Sequence, residues 1–432
     1  MLRRRLVVLA VLAYALCTLA ADWPQYRGPS RNDISSETGL LTTWPKGGPT
    51  LLWTYNNAGV GYSGPAIVGD RLFTIGGRGE DEFVFALDLK NFKDGSVNEA
   101  WAAKVGPLFT WKGNNWSAGP SATPTVDGDV LYALGGLGDL VCVDVKDGKE
   151  RWRKSMAKEL DGEVNPIGGG PAKLGWGYTW SPLVDGDKLI CTPGGPKGTV
   201  AALDKKTGQV LWRSTELTDQ CCYASPQTAV IHGVKQYVIL TNAGLAGVSA
   251  QDGQLLWNYK RQPRYTTEVI NIPLVQDNLV YATVGAGNGC DLIRLELEDK
   301  KFKVETIYSN KTFQNHHGGV VLREGHVFGS VQQGWACQEL KDGKVAWTDK
   351  KLRPGSTTFA DGHFYCYCEF TGETALVEFS TKEWKEKGRF TIPQKSKLKK
   401  PSGQIWTPPV VANGRLYLRD QELLFCFDIK AK

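Results

Sequence analysis

The sequence predicts an all-β protein: an eight-bladed β-propeller of four-stranded antiparallel blades, its ring closed by the N-terminal strand near Trp53 joining the last blade. Three observations predict it. A strand–turn–strand phrase ending in Trp recurs along the chain. A second hairpin phrase, usually opened by Pro, stands before each such unit. An orphan strand, Leu51-Leu52-Trp53, precedes the first complete unit, and the last unit lacks one strand. Repetition at a period of roughly 50 residues is the signature of stacked blades.

The Trp phrase is plainest at Val141-Cys142-Val143-Asp144-Val145-Lys146-Asp147-Gly148-Lys149-Glu150-Arg151-Trp152. Apolar alternation marks a half-buried strand, and Asp-Gly is expected to supply a tight two-residue turn. Copies occupy 202–212, 248–257 and 339–347, with a stretched one at 86–101. The Pro phrase occupies 64–73, 123–132, 181–190, 226–233, 273–281, 320–328, 357–365 and 409–417. Pro65, Pro124, Pro182, Pro226, Pro273 and Pro409 open the first strand, where a missing N–H costs least. Joined, the two phrases make four strands per blade. Each outer-strand Trp is expected to wedge between blades. The fifth blade ends instead near Ile307-Tyr308, and the seventh near Trp384 or Phe390.

Three stretches are expected in order: a signal peptide over 1–21, an ordered strap over 22–50, and a single propeller over 51–432. Arg3-Arg4-Arg5 followed by apolar residues 6–16 is too short to span a bilayer, and residues 18–20 suit cleavage. Export, to the periplasm or outside, is therefore expected, without a lipid on Cys17 and without a later transmembrane segment. The 51 Lys and Arg less the three leader arginines leave 48 basic against 45 acidic residues, too even for a nucleic-acid binder. The cluster Lys395, Lys397, Lys399 and Lys400 reads as a solvated loop. Cys142, Cys337 and Cys426 stand where other blades carry Ala, so most cysteines are expected as free core thiols.

The Ala202-Leu203-Asp204-Lys205-Lys206-Thr207-Gly208-Gln209-Val210-Leu211-Trp212 phrase resembles the tryptophan-docking repeat of PQQ-type β-propellers. That group includes quinoprotein alcohol dehydrogenases and the propeller subunit of the outer-membrane protein assembly machine. The resemblance covers nearly all of residues 51–430. The stretch Asp22-Trp23-Pro24-Gln25-Tyr26-Arg27-Gly28-Pro29, with Asn315-His316-His317-Gly318-Gly319, is similar to exported PQQ-like repeat proteins of planctomycete-type bacteria. The resemblance implies the eight-bladed fold and no particular reaction.

The segment leading into each innermost strand should line the channel mouth. Three residues before the Pro position stand Tyr62, Tyr223, His317 and Trp406. Trp180 is one residue out of register, and Trp116 lies in a long loop nearby. These rings form either a collar for a planar ligand, sugar or peptide, or a plug. The connections 102–123 and 153–181 exceed their counterparts, and such loops commonly carry a repeat protein's binding surface. Cys221-Cys222 precedes Tyr223. The resemblance to quinoprotein dehydrogenases implies a quinone held under a disulfide of adjacent cysteines; two free thiols is the plainer alternative. Neighbouring strand residues face opposite ways, so one of His316 and His317 is expected in the channel and the other packed. Glu268 is the one carboxylate placed near the mouth. No metal ligand set, catalytic triad, P-loop, HExxH or haem motif is found.

Two functions follow as expectations. The first is a monomeric, exported module gripping a protein partner or small ligand at the channel mouth, with no catalytic residues. The second is a PQQ-dependent oxidoreductase of alcohols or sugars, with PQQ and calcium in the channel and Cys221-Cys222 over the quinone.

Overall fold

The computed structural model describes residues 22–431; the leader expected over 1–21, with Cys17, lies outside them. Among the described residues, thirty-two strands assemble into eight separate four-stranded sheets, each neighbouring pair antiparallel. Seven blades are contiguous: 66–107, 125–155, 183–213, 227–260, 274–310, 320–349 and 355–391. The eighth joins Val410–Ala412, Arg415–Asp420 and Leu423–Asp428 to Thr50–Tyr55. Trp53 pairs with Cys426 and Leu51 with Phe427, so the chain ends share one sheet, as expected. No described helix is long and apolar enough to cross a membrane.

The third and fourth strands of every blade slip by one residue at the same place, for example between Cys142 and Val143 and between Ala202 and Leu203. A bulge strengthens local twist, and its repetition gives each blade the same pitch. It also sets the Trp. Trp101 Nε1 donates to Val145 O at 3.0 Å, Trp152 Nε1 to Lys205 O at 3.1 Å, and Trp347 Nε1 to Ser380 O at 2.9 Å, each reaching the next blade. The hairpin beneath is not a two-residue turn. Gly148 N–H donates to Asp144 O at 2.9 Å, and only Gly148 of the Asp147-Gly148 pair has positive φ, at 73°. A Cβ on Gly148 would lie 2.5 Å from the Trp101 ring, so Gly serves both the conformation and the docking.

Two departures have local causes. Trp257 turns into its own blade, its Nε1 donating to Gln236 Oε1 at 2.5 Å, because the next hairpin turns through Asp299-Lys300 without a receiving Gly. In the seventh blade Phe390 packs on Phe427 at 4.8 Å, whereas Trp384 sits against Trp335 at 5.9 Å in the sixth. All nine described cysteines are buried and free.

The N-terminal segment runs across the innermost strands at the end where they turn. Trp23 bridges Ile67, Val126 N–H donates to Pro24 O, and Phe359 pairs with Asp33 and Ser35. Glu37 accepts from Asn413 N and Gly414 N, and Leu41 N–H donates to Ile429 O. Arg27 and Asp33 meet at 2.6 Å, both buried, and Arg31 reaches Ser181 O and Pro182 O at 3.1 Å. This segment stops the axial channel at one end.

Candidate functional site

Above that stop lies a cavity of about 470 Å³. Its lining comes from every blade's lead-in segment except the seventh's, together with Tyr26 from the N-terminal segment. Tyr62, Tyr223, His317 and Trp406 are all in it, and so are Ser121, Thr179 and Ile270, the residues three before Pro124, Pro182 and Pro273. One register position thus faces the axis around most of the ring. Trp116 lines the mouth from the first long connection and is 51% exposed.

Trp180 does not line the cavity. It is fully buried among Tyr178, Leu189 and Cys191, because one step along an extended segment turns a side chain to the other face. Its neighbour Trp176, in the same long connection, lines the cavity instead. Cys221 and Cys222 are also outside the lining. Cys221 N–H donates to Glu163 O, and this extended pairing sends the two thiols into different cores. Cys221 Sγ points to Cys222 O at 3.0 Å and Cys222 Sγ to Asn242 Oδ1 at 2.9 Å.

His316 and His317 both line the cavity, contrary to the alternation expected of a strand. The strand begins only at Val320, so the irregular segment before it places the two rings 3.9 Å apart. His317 stacks on Trp406 at 4.6 Å, and Trp406 lies 5.1 Å from Tyr62. Burial, then His316 beside it, holds His317 well below the usual histidine range. His316 Nε2 lies 3.4 Å from Glu268 Oε2, and Trp176 Nε1 donates to Glu268 Oε1 at 2.9 Å. Burial alone would raise the Glu268 carboxyl. The close His316 ring together with hydrogen bonds from Thr267 and Trp176 outweighs burial and holds it well below the usual carboxylate range.

One buried and one half-buried carboxylate support the walls. Glu82 accepts from Phe109 N at 3.0 Å and Gly136 N at 2.8 Å, tying down the connection that carries Trp116. Glu369 lies behind Trp406. Burial pushes both up to about 7. A raised carboxyl means that the folded state holds protons the unfolded chain has released. Stability is therefore expected to fall as pH rises from about 4.5 to 7, by about 2–3 kcal/mol for Glu82 alone. Urea unfolding at both ends of that window measures it; a flat profile would contradict the assignment. Glu268 works in the opposite sense, below the ordinary glutamate range.

These features define a propeller with a blind, aromatic-walled axial cavity. The family model described as "Outer membrane protein assembly factor BamB" matches residues 88–349, more than half of the chain, and the chain belongs to that family of PQQ-like repeat propellers. Among solved structures it is similar to BamB from Moraxella catarrhalis, with a TM-score of 0.58 and 16% identity over 89% of this chain and 98% of that one. It is also similar to the quinohemoprotein alcohol dehydrogenase from Comamonas testosteroni, with a TM-score of 0.61 and 11% identity over 95% and 81%. At these identities the likeness concerns the fold. No curated protein matches the sequence.

The quinone that such dehydrogenases imply is a planar tricarboxylate bound beside calcium. The lining has no Lys or Arg to meet its carboxylates, and Glu268 is its one acid. Among the described residues no three His, Cys, Asp or Glu side chains come together as a metal site, and hard cations need several oxygen ligands. The residues do not fit the group.

Proposed function

We propose that the protein is an exported, monomeric binding module that takes a small ligand in its axial cavity. The observation carrying this reading is the cavity itself: about 470 Å³, stopped at one end, with rings from several blades turned inward. A site of this volume, largely apolar with a few polar groups, suits a small molecule. The leader-like first 21 residues support export.

A protein partner at the same mouth is the second reading, favoured by the exposed Trp116 at the rim and by the relative's description as an assembly factor. A quinone-dependent oxidoreductase is the third, and the lining argues against it.

Thermal-shift titration tests the first reading. Neutral sugars, organic cations, and PQQ with calcium form the panel. One class is expected to raise the melting temperature with concentration, by about 2.7 kcal/mol of stabilisation at a hundredfold excess over Kd. Trp406→Ala should weaken that response. A rise with PQQ and calcium alone would move the protein to the quinoproteins, and no rise with any class would overturn the small-ligand reading.

A further inference from the structure

We infer that the cavity is selective for a small organic cation, a quaternary or methylated ammonium head held between aromatic faces and the Glu268 carboxylate. The inference rests on the small-ligand reading and names the ligand's chemistry.

Charge is the first argument. Glu268 is the one acidic residue of the lining, and no lysine or arginine accompanies it. Arg27 and Arg31 lie in the nearby stop and are mostly engaged there, with Arg27 Nη1 and Arg31 Nε left without a partner among the described residues. Arg27 serves Asp33 and Val320 O, and Arg31 serves Gln25, Ser181 O and Pro182 O.

Donor accounting is the second. Most polar tips of the aromatic wall are already engaged by the protein. Tyr62 OH donates to Trp116 O at 3.2 Å, and Tyr223 OH reaches Ile167 O at 2.7 Å. Trp176 Nε1 is held by Glu268, and the Trp406 side chain hydrogen-bonds to Glu369. Thr179 Oγ1 turns to Tyr223 O at 3.3 Å. His316 Nε2 and His317 Nδ1 have no hydrogen-bond partner among the described residues and remain open to a neutral ligand, but the lining has no lysine or arginine to hold an anion. Beyond these, the rings offer their π faces, which attract cations and repel anions.

Arrangement is the third. Tyr62, Trp406, His317 and His316 form a continuous row, with successive ring centres 5.1, 4.6 and 3.9 Å apart, and the row ends at Glu268. A cation at the Glu268 end lies beside this row. His316 Nε2 faces the same carboxylate.

Calorimetry with the full chain tests this, using choline, tetramethylammonium, the uncharged choline isostere dimethylbutanol, glucose, and PQQ with calcium. Choline and tetramethylammonium are expected to bind, and dimethylbutanol about tenfold or more weaker than choline. Glu268→Gln should weaken choline by about tenfold and dimethylbutanol hardly at all. The isostere comparison needs no variant, so it stands even where Glu268→Gln misfolds. Equal binding of choline and dimethylbutanol would overturn the inference, as would no binding of either cation. If glucose or the quinone binds while the cations do not, the cation inference fails and the small-ligand reading survives. If nothing binds, both fail.

Discussion

Replacing Arg419 by Met is expected to cost about 3–5 kcal/mol, a substantial share of a typical domain's stability of about 5–15 kcal/mol. Arg419 stands in the strand Arg415–Asp420 of the last blade and is fully buried. No described carboxylate forms an ion pair with it; carbonyl dipoles and one hydroxyl satisfy its guanidinium instead. Nε donates to Gln421 O at 2.8 Å. Nη1 donates to Ser63 O at 2.8 Å and to Thr74 Oγ1 and Ile75 O at 2.9 Å, and Nη2 to Ala58 O and Gly59 O at 3.2 Å. Most of these acceptors belong to the first blade or its lead-in segment, so one side chain fastens the last blade to the first. Hydrogen bonds to a charged group are worth roughly 1.5–3 kcal/mol each, and their loss leaves buried acceptors unmet. Relief from burying a cation returns part of that. Urea unfolding measures the difference. Arg419→Lys should recover little, since a point charge on a flexible stem cannot serve a fork of acceptors. A loss under about 1 kcal/mol would mean that strand pairing between Trp53 and Cys426 holds the seam alone.

What the sequence made legible follows from periodicity. Wherever a phrase repeats, its register transfers, and so the blades, the closing strand and the axis-facing residues Tyr62, Tyr223, His317 and Trp406 could be placed by counting. Residues outside a register could not. Trp176 lies in a long connection with no repeat to align it, and Trp180, next to the register, points the other way. Tyr26 comes from a segment without alternation, folded under the ring by contacts with distant strands. The histidine pair shows the limit of the strand rule, which holds only once the strand has begun at Val320. Arg419 reads in sequence as an ordinary charged residue near a strand end. Its burial is created by ring closure, which brings Ile75 to it across a sequence separation of 344. Polar residues made structural by such closures leave no local signal.

Arg27→Met should be comparably damaging, about 3–5 kcal/mol at neutral pH, because it strands a buried carboxylate. Arg27 and Asp33 are both buried beneath the cavity, with Nε 2.6 Å from Oδ2, and the second arm of Arg27 reaches Val320 O in the sixth blade. Burial pushes Asp33 up to about 6 even with Arg27 beside it to hold it down. Without that cation the carboxyl would rise further, and the cost would depend on pH with a definite sign. A carboxyl raised in the folded state loses stability as pH climbs from its unfolded value through its folded one. The variant should therefore lose stability more steeply than the parent above about pH 6, and the gap should narrow toward pH 4, where Asp33 is neutral in both. Arg27→Met with Asp33→Leu should recover most of the loss, since an apolar pair of similar volume replaces a buried ion pair at little cost. Urea unfolding of the parent, both single variants and the double variant between about pH 4 and 8 gives the coupling directly. If the double variant is as unstable as Arg27→Met, the reach of Arg27 to Val320 O is what holds the stop in place. If the Arg27→Met deficit is flat with pH, Asp33 is already protonated beside Arg27, and the stop of the channel is held by neutral hydrogen bonds.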